Sequence, residues 1–200
     1  MKQYIKMAAA VLAFILLIVI SYVAYQNLAK KYDTNRLQEQ TKENTQAATN
    51  ENKDENKDEK SKAPDFTVVN GKDEEVLLSE LVGKPIVLNF WASWCSPCKS
   101  EMPTFQKIYE SYGDKVEFVI VNLTDGSKET KESAMDFISK NNYTFPVYYD
   151  VDQSAAYAYS VSSIPTTYFI DSEGFVVAYS KGTLEEETFL KGIKMISNDN

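Results

Sequence analysis

The segment Ile86–Ala92 reads IVLNFWA, apolar at all positions but one instead of at every second one. Strands show that pattern when helices cover both faces of their sheet. The chain's two cysteines, Cys95 and Cys98, follow at once in WCSPC, and Ser96 to about Tyr112 reads as a helix behind them. Pro97 is tolerated in a first helical turn, and Pro103 is expected to kink the helix. A buried strand running into a helix that opens on a cysteine pair confines the surrounding chain to an α/β arrangement.

The neighbouring segments agree with that frame. Phe66–Asn70 and Val76–Leu78 read as short strands around an Asn70–Gly71 turn, and Val116–Leu123 as a second buried strand. A polar amphipathic helix over Lys128–Asn141, a short strand at Val147–Tyr149 and a brief helix at Gln153–Tyr159 come next. Thr166–Ile170 and Phe175–Ser180 flank the Glu173–Gly174 turn as a hairpin, and Leu184–Ile196 closes as a helix. Strand–helix alternation ending in a hairpin and a helix predicts one domain over residues 63–200, a central mixed β-sheet flanked by helices.

The N-terminal part is of another kind. After Lys2 and Lys6 no charge occurs from Met7 to Tyr25, a helix long enough to cross a hydrocarbon core of about 30 Å. Residues 1–29 are therefore expected to be a single-pass signal anchor inserted in the lipid bilayer. A cleavable signal peptide, with secretion, is the rival reading, but its best cut after Ser21 has Val19 where a small residue is wanted. Lys2 and Lys6 nearly balance Lys30, Lys31 and Arg36, and the short N-terminal tail favours a cytoplasmic N-terminus with the large domain outside. Residues 30–62, including NKDENKDEKSK, hold too few apolar residues to bury a core. They are expected to be a disordered, charged linker with an r.m.s. reach of roughly 30 Å.

Charge and residue inventory exclude several functions. A formal charge of −8 argues against nucleic acid, whose phosphates require clustered Lys and Arg. The chain has no histidine, and two cysteines alone do not supply the four ligands of a closed zinc site. No metal and no cofactor is expected. A bridge that merely stapled one helical turn would restrict the unfolded chain little. A redox reading has more physical content. Cys95 sits where unpaired N–H groups and the helix dipole stabilise an anion, so its thiol should ionise easily and attack disulfides. Cys98, one turn on and more shielded, is expected to resolve the mixed disulfide, leaving Cys95 and Cys98 joined. Trp94 offers an apolar shoulder to a substrate, Ser96 and Pro97 tune the reduction potential, and Trp91 reads as core.

Downstream, Ile164-Pro165-Thr166-Thr167 opens a strand, a place where proline is tolerated and where an ordinary trans bond is the plain reading. GKPIVLNFWASWCSPCKSEMP together with SIPTTYFIDSEG resembles the TlpA/ResA-like branch of the thioredoxin superfamily, membrane-anchored or secreted bacterial reductases, over about residues 63–196. The resemblance implies a thioredoxin-like fold with an N-terminal β-hairpin extension and an inserted strand–helix element. It implies Cys95 as nucleophile, Cys98 as resolving thiol, and Pro165 as a cis-proline that turns the Ile164 backbone toward the substrate. It also implies a CcdA-type membrane electron donor. Apocytochrome c or other disulfide-containing extracytoplasmic proteins would be the substrates. Cytoplasmic thioredoxins carry a buried Asp six residues before the first cysteine, where this chain has Asn89, which cannot titrate. Glu101, three residues after Cys98, reads by itself as a solvated helix residue, and the resemblance makes it the acid/base instead. Two other functions compete. APDFTVVNG also resembles the start of peroxiredoxin-type thiol peroxidases, although Leu88 and Ala92 stand where those carry Pro and Thr. A non-enzymatic partner-binding module of the same fold is the third, and retention of both cysteines speaks against it.

Overall fold

A computed structural model describes residues 16–24, 38–39 and 61–197. The chain divides into two compact units, Met1–Thr34 and Asn35–Asn200. In the first, residues 16–24 form helix α1, and Leu16, Ile18, Val19 and Val23 on it are exposed. Among the described residues no helix is long and apolar enough to cross a membrane. The rest of the expected Met7–Tyr25 span lies outside the described residues.

The second unit is built on one mixed sheet. Its strands are β1 (Gln38–Glu39), β2 (Ser61–Lys62), β3 (Thr67–Val69), β4 (Glu75–Leu77), β5 (Ile86–Trp91), β6 (Glu117–Asn122), β7 (Val147–Tyr149), β8 (Thr166–Ile170) and β9 (Phe175–Lys181). They lie in the order β1-β9-β8-β5-β6-β7-β3-β4, with β2 also paired to β9. The helices are α2 (Ser96–Tyr112), α3 (Lys131–Lys140), α4 (Ser154–Ala158) and α5 (Glu186–Ile196). At the centre, β5 runs parallel to β6 and antiparallel to β8, and every one of its residues is buried.

Two cores explain the unbroken apolar run. Val87 and Trp91 of β5 join Met102 and Phe105 of α2, Ala134 of α3 and Phe189 of α5 on one face. Ile86, Leu88 and Phe90 join Ala155 of α4, Tyr159 and Leu78 on the other. Asn89 is the exception on the first face, and it lies beneath α2 as part of the site described below. Helix α2 continues through Pro103, and the carbonyl deprived of its donor belongs to Lys99, which is exposed. The sheet also takes in residues from the stretch 30–62 that the composition assigns to linker. Gln38–Glu39 pairs with Ala178 and Tyr179, and Ser61–Lys62 with Phe175 and Val176. Pairing with a free strand edge uses backbone groups, so a polar composition is no bar to it. The remainder of that stretch lies outside the described residues.

Candidate active site

Cys95 is the N-cap of α2, with Pro97 inside the first turn, as the local sequence requires. The Cys98 backbone N–H points at Cys95 Sγ across 3.2 Å, one of the orphan donors of a helix start aimed at a sulfur. The two cysteines form a disulfide, their Cα atoms 5.3 Å apart. Cys95 retains a sliver of exposure at 4%, whereas Cys98 is sealed at 0%. That difference allows an external disulfide to reach Cys95 alone.

Facing Cys95 from the start of β8 is the Ile164–Pro165 pair, joined by a cis peptide bond. The Ile164 carbonyl oxygen lies 3.7 Å from Cys95 Sγ, and the Pro165 carbonyl accepts from Gly182 N–H at 2.8 Å, which ties the loop to the end of β9. Between the two loops runs a groove of about 420 Å³, lined by Trp94, Cys95, Pro97, Leu123, Val161 and Ile164. Trp94, at 45% exposed, forms its shoulder with the Lys128 ammonium 3.3 Å above the ring, and Ser96 also lines the groove. Trp91 is fully buried beneath, as core.

Glu101 is 1% exposed, so it is no solvated helix residue. Residues three apart on a helix share a face, which puts Glu101 on the same buried side of α2 as Cys98. Its Oε1 accepts from Asn89 Nδ2 at 3.0 Å and its Oε2 from the Leu184 N–H at 2.9 Å. Burial pushes the carboxyl up to about 8 from an ordinary 4.5, against the opposing pull of the Leu184 and Asn89 hydrogen bonds. A group that titrates near 8 both gives and takes protons under neutral conditions.

A second buried carboxylate, absent from the sequence reading, holds the loop ahead of Cys95. Glu129 is 0% exposed and accepts from Ser93 N–H at 2.8 Å, Ser93 Oγ at 2.7 Å and Asn122 Nδ2 at 2.7 Å. Asn122 Oδ1 in turn accepts from Thr124 Oγ1, and Asp125 Oδ1 caps the Ser127 and Glu129 N–H groups. The polar pattern predicts a helix from Lys128 that would include Glu129, but α3 begins at Lys131 with Thr130 as its cap, and this frees Glu129 to turn inward. Nothing in the local pattern marks it, because its partners come from two other segments.

The chain matches the AhpC/TSA family over residues 60–179. It is 37% identical over 127 residues to the thioredoxin-like protein YneN of Bacillus subtilis (strain 168), covering 63% of this chain and 73% of that one. It is 39% identical over 127 residues to the thiol-disulfide oxidoreductase ResA of the same organism, covering 63% of this chain and 69% of the relative. Among solved structures, StoA from Bacillus subtilis superposes with a TM-score of 0.57 at 30% identity, over 66% of this chain and 97% of that one.

Proposed function

This chain belongs to the AhpC/TSA family and is a thiol–disulfide oxidoreductase, and from that premise we propose that it reduces disulfides in extracytoplasmic proteins from a membrane anchor. The observation that carries the reading is the pairing of a slightly exposed Cys95 at a helix start with a sealed Cys98 and a buried Glu101 on one helix face. In the reduced enzyme the Cys95 thiolate, held by the Cys98 N–H, attacks one sulfur of the substrate disulfide. The other substrate sulfur leaves as a thiolate, and a mixed disulfide forms. Glu101, as carboxylate, takes the proton of the Cys98 thiol. The Cys98 thiolate then attacks Cys95 Sγ, releasing the second substrate thiolate and closing the Cys95–Cys98 bond. When an electron donor reopens that bond, neutral Glu101 returns the proton to Cys98. The extended substrate lies in the groove against Trp94, with Ser96 and Pro97 beneath it. The backbone at Ile164 and Pro165 is its hydrogen-bonding edge.

The uncharged Met7–Tyr25 run supports the anchor, and a membrane donor of the CcdA type would supply electrons from the other side. Apocytochrome c is one substrate class that fits an apolar groove open to an extended chain. The experiment is a trap. Cys98→Ser is expected to accumulate mixed disulfides with partner proteins in cells, and Cys95→Ser to accumulate none. Trapping by Cys95→Ser would reverse the two roles. A reduction potential of about −250 mV or lower marks a reductant, and one near about −120 mV an oxidant.

A further inference from the structure

Asn89 is fully buried on β5, directly opposite Thr167 of β8 in the antiparallel register. Its Nδ2 donates to Glu101 Oε1 at 3.0 Å and to Thr167 Oγ1 at 2.9 Å, while its Oδ1, equally buried, meets no donor among the described residues. Buried acceptors are seldom left so, since each has given up its bond to water and gained none in return. With Glu101 accepting on both oxygens, from Asn89 and from Leu184, the pocket as it stands suits a carboxylate. A protonated Glu101 has an O–H that needs an acceptor instead. A half-turn of the Asn89 amide brings one to the same place, because Oδ1 and Nδ2 exchange with little change of shape.

We infer that Asn89 is a rotating amide that serves both protonation states of Glu101, Nδ2 facing the carboxylate and Oδ1 facing the acid. Thr167 supports either orientation, since a hydroxyl accepts from Nδ2 and donates to Oδ1. Asn89 neither gains nor loses a proton. The proton taken from Cys98 stays on Glu101 Oε1, and Asn89 changes only from donor to acceptor. It is a positioning residue, and it rests on the acid/base reading of Glu101. Around that carboxyl, α2 contributes Cys98, which titrates only when reduced. Strands β5 and β8 contribute the uncharged Asn89 and Thr167, and the stretch before α5 the Leu184 N–H; no ionised side chain contributes to the Glu101 shift. An aspartate at position 89 would add a second charge to this pocket, and a leucine would serve neither state.

The test uses the full-length oxidised chain in detergent micelles, by NMR. Nuclear Overhauser contacts between the Asn89 amide protons and the Thr167 side chain should be present above the Glu101 midpoint and lost below it. Contacts that persist at both pH values overturn the inference, because the amide is then fixed. The Glu101 carboxyl titration in Asn89→Leu is the second arm. A fixed Nδ2 donor only favours the charged form, so its loss would raise the midpoint by about one unit or more. A rotating amide helps both forms, and its loss should move the midpoint by less than about half a unit. Should the amide turn with pH while Glu101→Gln leaves reduction rates unchanged, the acid/base reading fails and the rotation stands.

Discussion

Glu101 couples proton binding to folding in a direction opposite to that of a salt-bridged carboxylate. Its pKa is raised from 4.5 to about 8 in the folded chain, so between those values the unfolded chain is ionised while the folded one still holds the proton. Stability in the oxidised state should therefore fall as pH rises through that window and level off above about 8, with a slope of up to about 1.4 kcal/mol per pH unit. Glu101→Gln should lack that slope and gain on wild type in urea unfolding at pH 8 relative to pH 5. It should also slow disulfide reduction by about 10²-fold, the low end of general acid–base effects. An equal slope in both proteins would remove the buried acid from the account. Glu129 makes a different prediction, because its function is to hold. Glu129→Ala leaves the buried Asn122 Nδ2 without an acceptor, at about 1–3 kcal/mol, and the half-buried Ser93 N–H loses its acceptor at a smaller cost. The variant should lose stability in denaturant and alter the alkylation rate of Cys95, whose loop Ser93 anchors.

At the scale of elements, the site depends on how closely α5 approaches the sheet. Gly192 of α5 sits against the Phe169 ring of β8, where a Cβ would come within 2.3 Å of it. Alanine in place of a helical glycine ordinarily stabilises by about 1 kcal/mol. Here overpacking costs about 1–3 kcal/mol and wins, because Phe169 is itself fixed against Phe189 at a ring separation of 5.9 Å. Gly192→Ala should lower the melting temperature, and a rise would mean that α5 stands off the sheet. Element boundaries were mostly legible in the sequence. The spans read for α2, β7 and β8 coincide with those found, because proline, a tight apolar block or a turn marks their ends. Helix α3 begins later than its polar pattern implies, since the Thr130 hydroxyl takes the Ser133 N–H and stops it there.

For the whole molecule, the expectations concern where the domain stands and what it turns over. Protease added to intact protoplasts should remove residues 63–200 and leave the N-terminal end protected. Digestion only after lysis would put the domain on the cytoplasmic side. Turnover should occur with a disulfide substrate and not with hydrogen peroxide, since Ala92 and Leu88 replace the Thr and Pro of peroxiredoxin-type sites. Peroxide turnover at a comparable rate would favour the peroxidase reading. A chain that merely binds partners would show neither activity.

Local sequence was enough to determine the strand–helix order, the placement of Cys95 at a helix start and the sealing of Cys98 one turn behind it. Each of these follows from periodicity and capping over a few residues. Two features depended on tertiary structure. Glu101 looked like a solvated residue until α2 was laid over Asn89 and the Leu184 N–H, and its raised pKa is a property of that burial. Glu129 looked like a helix residue until the loops after β5 and β6 met around it. A carboxylate's chemistry is set by the donors and the dielectric around it, and those are supplied by segments far away in the chain.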